Sequence, residues 1–148
     1  MVMRSKWNPE SLDYNCVAAV ARYLHYQVTG HLVDPGKDNL DVLCEPDPDR
    51  RLFSHDDQMR LEISRAVSLI RGVGLLEVSR HAAGVGSRYP RGHYAVMALA
   101  LSNGHVVYGR VDDDDSDFAV LFDPQKNIAT TMGSLGGGGA LAVRFERA

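Results

Sequence analysis

Along the first third of the chain, apolar residues recur at helical spacing. Val17, Val20, Ala21 and Leu24 share one face, Cys16 opens the run, and no Gly or Pro interrupts it before Gly30. The pattern predicts a largely buried helix from Cys16 to Tyr26. A second series, Met59, Leu61, Ile63, Ala66, Leu69 and Ile70, carries the same signature. Ser54 stands as its N-cap, Asp56 and Asp57 fall where the helix dipole favours carboxylates, and Gly72 should end it. After Gly74 the period shortens. The run Leu75-Leu76-Glu77-Val78, then Tyr94 to Leu101, His105 to Val111, Phe118 to Phe122 and Ala140 to Phe145 read as strands rich in Val, Leu, Tyr and Phe.

The punctuation between these runs is explicit. Ser102-Asn103-Gly104 is a hairpin-turn signal, and Asp112 to Asp117 is an acidic connection too costly to bury. Pro35, Gly36, Pro46 and Pro48 among acidic residues predict an irregular surface loop from Asp34 to Arg51. Two helices followed by an antiparallel sheet make the expected fold class α+β, in a single domain over residues 1–148.

Composition narrows the picture. A chain of 148 residues with 45% hydrophobic positions can build one core without disulfides or metals. Its formal charge of −3, with Arg and Lys scattered, provides no field to gather nucleic acid or anionic lipid, so neither nucleic acid nor membrane is expected as a partner. No apolar stretch is long enough to cross a bilayer, and the first residues lack the apolar core of a signal peptide. Cys16 and Cys44 lie in different settings and are both expected to be reduced.

Some signals carry little chemistry. His25, His31, His55 and His81 lack metal-ligand spacing, and no metal site is expected. The Asp112 to Asp115 run lacks the glycine turn of a calcium loop and reads as a solvated connection. Gly136 to Gly139 is not followed by Lys-Ser or Lys-Thr and is no phosphate loop. Trp7 is expected to cover the core.

The residue that stands out is Cys16. A helix N-terminus, with its unsatisfied N–H groups and dipole, is where a thiolate is stabilised, and Asn15 is a favoured N-cap type. A buried cysteine acting as a small hydrophobe is the competing reading. What favours chemistry is the far end of the chain. His105 opens one predicted strand, the acidic turn follows, and Phe118 to Phe122 returns to Asp123. Antiparallel pairing about that turn brings Asp123 beside His105, where a carboxylate could hold the Nδ1–H and make the other nitrogen more basic toward Cys16. His93 also precedes an apolar strand, but the same pairing puts it near Asp112 to Asp115 and far from Asp123.

These residues resemble a known family. Asn8-Pro9, Asn15-Cys16-Val17-Ala18, Pro90-Arg91-Gly92, Gly104-His105-Val106-Val107 and Phe122-Asp123-Pro124-Gln125 are similar, in order and spacing, to the papain-fold toxin domains of bacterial polymorphic toxins and effectors. Several relatives in that family are protein glutamine deamidases. The resemblance implies a papain-like fold with Cys16 as nucleophile, His105 as general base and Asp123 as its orienting partner. It places Asn15 and Gln125 at the oxyanion or substrate side, Gln125 within the family's Asp-x-Gln ending. The chain departs from the family where Ala18 and Ala19 stand in place of a second cysteine, and in its longer acidic turn.

The function so implied is a toxin or effector that converts a glutamine of a target-cell protein to glutamate through a thioester, without a cofactor. A papain-like peptidase or transglutaminase would use the same three residues, and an inactive papain-like binding module is the reading from another class. The expected partners are a target-cell protein and an immunity protein, the expected state is a monomer, and the expected place of action is the target-cell cytosol after bacterial delivery, where thiols stay reduced.

Overall fold

The computed structural model describes residues 5–12, 14–33, 38–44, 55–98, 105–135 and 140–148. Helix α1 (Cys16–Thr29) ends at Gly30, whose φ of 77° supplies the left-handed C-cap that donates back to the Tyr26 carbonyl. Helix α2 (Leu40–Leu43) is a single turn. Helix α3 (His55–Gly72) matches the expected second helix, although Ser54, its expected cap, lies outside the described residues. Six strands follow: β1 (Leu75–Ala83), β2 (Gly92–Ala98), β3 (His105–Val111), β4 (Val120–Asp123), β5 (Ile128–Ala129) and β6 (Ala140–Arg147).

All strand pairs are antiparallel, and the order across the sheet is β1-β6-β2-β3-β4-β5. The expected α+β class is therefore the observed one. The position of β6 does not follow from local pattern. It inserts between β1 and β2, pairing Phe145 with Glu77 on one side and with His93 on the other.

Alternation sorts the strand residues to two faces. Ala95, Met97, Val106, Tyr108, Val143 and Phe145 face α1 and α3 and pack with Ala18, Val20, Ala21, Leu24, Ala66 and Ile70. Tyr94, Val96, Ala98, Val107, Val111 and Ala142 face the other way, where Tyr89, Leu135, Phe118 and Met132 from the connecting segments cover them. Because β2 and β3 are buried on both faces, their sequences are nearly continuous apolar runs. Gly109 on β3 is required by this second layer, since a Cβ there would lie 2.7 Å from the Phe118 ring.

Two expectations need adjusting. The segment expected as a surface loop contains α2, with Leu40 buried in the helix-side core. Its Asp38 and Asp41 reach inward to Arg22, which is 0% exposed. Arg22 Nε and Nη2 meet the Asp38 carboxylate at 2.7 and 2.9 Å, and Nη1 meets Asp41 at 3.0 Å. The first strand runs on to Ala83, well past Val78, because β6 gives it a partner along most of that length. Both Ser102 to Gly104 and Gly136 to Gly139 lie outside the described residues. Asp112 to Asp115 are exposed, as a charge run at a turn should be, and Trp7 is buried against Tyr23 and Tyr26. No helix among the described residues is long and apolar enough to cross a membrane.

Candidate active site

Cys16 is the first residue of α1, so it stands where the helix leaves its initial N–H groups without intrahelical acceptors. The helix behind it is fixed: Ala18, Ala19, Val20 and Ala21 are all sealed from solvent, while Cys16 itself is only half-buried. His105 is the first residue of β3 and Asp123 the last of β4, so the two strands deliver both side chains to one end of the sheet. The nearness of Cys16 to His105 places the N-terminus of α1 at that same end.

His105 Nε2 lies 2.8 Å from Asp123 Oδ2, and the ring lies close enough to the Cys16 side chain to interact with it. With Nε2 given to the carboxylate, Nδ1 is the ring nitrogen left for the sulfur. This is the reverse of the sequence-based expectation, in which the carboxylate would hold Nδ1–H. His105 retains 20% side-chain exposure and Asp123 5%, which leaves the imidazole open to a reactant and the carboxylate shielded.

The electrostatics follow from this contact. The hydrogen bond to Asp123, followed by the interaction with Cys16, outweighs burial and raises the His105 pKa to about 9. Burial by itself would raise the Asp123 carboxyl, but the His105 hydrogen bond and charge, with the Lys126 backbone N–H, hold it below the usual carboxylate value. Asp123 Oδ1 accepts the backbone N–H of Gln125 at 3.1 Å and of Lys126 at 3.3 Å. At neutral pH the ring is thus an imidazolium, with one nitrogen donating to the Asp123 carboxylate and the other left for the Cys16 sulfur.

The remaining expected residues take different positions. Asn15 makes no side-chain cap on α1. It is fully buried, its Nδ2 donating to Asn8 Oδ1 and Asp41 Oδ1, both at 2.8 Å, and its Oδ1 accepting from Gln125 Nε2 at 3.3 Å. Gln125 Nε2 also donates to the Leu12 carbonyl at 3.1 Å. Asn15 and Gln125 therefore join the segment before Cys16 to the turn after Asp123, and their side-chain partners lie within the protein.

His93 pairs across the sheet with Arg110, at the opposite end of β2 from Ala98, which pairs with His105. Its Nδ1 lies 2.7 Å from the Tyr108 hydroxyl, and burial, aided by the Arg110 charge and opposed by Asp112, lowers its pKa. It is remote from the Cys16 end of the sheet.

Sequence reasoning did not foresee the place of Cys44. Its sulfur lies beside the Ala18 backbone N–H, in the first turn of α1, and close to Cys16. Burial pushes the Cys44 thiol up to about 11, against the lowering effect of that N–H. Both cysteines are free. Nothing local in the sequence links Cys44 to α1, because the approach depends on how residues 38–44 fold back against Arg22.

No protein-family model, curated protein or solved structure matches this chain.

Proposed function

We propose that this protein is a papain-like cysteine hydrolase, a bacterial toxin or effector that deamidates a glutamine side chain of a target-cell protein. The observation that carries the reading is the His105 imidazole, hydrogen-bonded to Asp123 on one side and close to a cysteine at the start of a buried helix on the other. Each part of the chemistry has a residue suited to it. The Cys16 sulfur, as thiolate, adds to the carboxamide carbon of glutamine, and the protonated His105 ring gives its Nδ1 proton to the departing nitrogen as the C–N bond breaks. Ammonia leaves and a thioester remains. A water molecule then loses a proton to neutral His105 and attacks the thioester, and collapse of the adduct expels the Cys16 thiolate and releases the glutamic acid, which ionises to glutamate in solvent. Asp123 keeps the ring oriented and stabilises its charged form, while the Cys16 backbone N–H, at the helix start where no intrahelical acceptor is available, suits the developing oxyanion.

Deamidation exchanges a neutral donor and acceptor for an anion, so one altered side chain can disable a target's binding or catalysis. The thiol chemistry fits a reducing cytosol, and the resemblance to secreted toxin domains supports delivery there and neutralisation by an immunity protein. The test is intact-mass analysis of cytosolic proteins incubated with the chain. Deamidation adds about one mass unit per event, as an amide becomes an acid. Cleaved chains would mark a peptidase and crosslinked ones a transglutaminase. Unmodified proteins, with a Cys16 whose reactivity is indifferent to loss of His105, would leave a binding module.

A further inference from the structure

An asparagine side chain offers two donor hydrogens and a carbonyl oxygen with two acceptor sites. At Asn8 all four are used, and the residue is buried. Nδ2 donates to the Leu12 carbonyl at 3.0 Å and to the Gln125 carbonyl at 3.2 Å. Oδ1 accepts the Leu12 N–H at 3.0 Å and Asn15 Nδ2 at 2.8 Å. Two of these partners belong to the two halves of the site. Asn15 is the residue before Cys16, and Gln125 belongs to the turn whose N–H groups hold Asp123.

Side chains, not strand ladders, join those halves. Among the described residues, no backbone-to-backbone hydrogen bond links residues 5–15 to residues 123–126. The bonds that cross the junction come from side chains: Asn8 to the Gln125 carbonyl, Gln125 Nε2 to Leu12 and Asn15, and Ser5 Oγ to the Pro124 carbonyl at 2.5 Å. Asn8 ties the Gln125 main chain, Leu12 and Asn15 together. On its far side the cluster is anchored through Asn15 to Asp41, which also accepts from buried Arg22.

We propose that Asn8 is a positioning residue of the Cys16 site: its amide clamps the residue before Cys16 to the turn carrying Asp123, and so fixes the separation between the Cys16 sulfur and the His105 ring. The inference rests on the reading of Cys16 as nucleophile. Asn8 touches no reacting atom and bears no charge, so its effect passes through geometry alone. Hydrogen bonds between a thiol and an imidazole are sensitive to displacements well below an ångström, and reactivity follows them.

The test uses the whole chain with two neutral substitutions, Asn8→Ala and Gln125→Met, which cannot act on His105 through added charge. Alkylation of Cys16 by iodoacetamide at pH 7 is followed by peptide mass, which separates it from Cys44, and the His105 ring is titrated by NMR. In variants with unchanged circular dichroism, Cys16 alkylation should slow by about 10-fold or more, consistent with the cost of misplaced reacting groups. The His105 midpoint should fall from about 9 toward the ordinary 6.5. Folded variants that keep both the rate and the midpoint would overturn the proposal. So would an unfolded Asn8→Ala beside a Gln125→Met that behaves as wild type, since Asn8 would then serve folding alone. Failure of the underlying reading has its own mark: wild type and His105→Ala would alkylate Cys16 at the same rate, and both inferences would fall.

Discussion

The carboxylate of Asp123 is divided between two tasks: Oδ2 takes His105 Nε2 at 2.8 Å, and Oδ1 takes the N–H groups of Gln125 and Lys126. The second task makes the first possible, because a carboxylate held by its own turn cannot swing away from the ring. Replacing Asp123 by Ala should therefore both lower the His105 pKa and free the imidazole to rotate. If the proposed deamidation holds, turnover of a glutamine substrate should fall by about 100-fold or more, in the range of general acid–base contributions. Retained turnover with an NMR midpoint for His105 still near 9 would contradict the assignment.

The same pair should leave a signature in stability against pH. His105 is raised in the folded state, so its contribution is complete below its unfolded pKa of about 6.5 and is lost as pH rises through about 9. Asp123 is lowered, so its contribution is complete above the ordinary carboxylate range and is lost as pH falls below it. Near pH 7 the His105 shift corresponds to about 2–3 kcal/mol. Urea unfolding of wild type and His105→Gln should differ most between pH 5 and 7 and converge above roughly pH 9. A difference that stayed constant across this range would show that the two groups do not interact as described.

Arg22 is the buried cation on which Asp38 and Asp41 depend, since both carboxylates face its guanidinium. Removing it as Arg22→Met leaves two inward acidic groups without their partner, and about 3–5 kcal/mol of stability should be lost. The Arg22→Met/Asp38→Asn/Asp41→Asn triple variant should recover part of that loss. Equal stabilities for the single and triple variants, measured by urea unfolding, would mean that the charges are solvated after all.

Gly109→Ala tests the second face of the sheet. The new Cβ would lie 2.7 Å from Phe118 Cε1 and 3.1 Å from Val96 Cγ2. Overpacking of this kind typically costs about 1–3 kcal/mol. Pairing it with Phe118→Leu should relieve the clash, and a Gly109→Ala variant as stable as wild type in urea would show that the Phe118 ring does not rest on the strand.

How much of this could be read from residues alone depends on the range of the forces involved. The helices from Cys16 and near His55, and the strands around Tyr94 and His105, follow from periodicity, which is local. The approach of His105 to Asp123 follows from strand ends flanking an acidic turn, again a short-range argument. Other features rest on contacts between distant segments. β5 has two residues, too few for any periodic signal. The Cys44 sulfur reaches Ala18, and Asn8 reaches Gln125, only once the sheet and helix have met. Asn15 looks like a cap by type, yet its side chain goes to Asn8 and Asp41 because burial makes those partners more valuable than a first-turn N–H. Which imidazole nitrogen Asp123 takes is likewise set by ring orientation, a tertiary matter.

The placement of β6 between β1 and β2 has a consequence for the birth of the molecule. Neither flanking strand can find this lateral partner until residues 140–147 have left the ribosome, so the sheet closes only once β6 has emerged rather than strand by strand. Ribosome-bound chains halted before Ala140 should be digested readily by protease, and chains released with that strand should resist; the nascent chain is therefore kept loose, and the geometry at Cys16 incomplete, until residues 140–147 arrive.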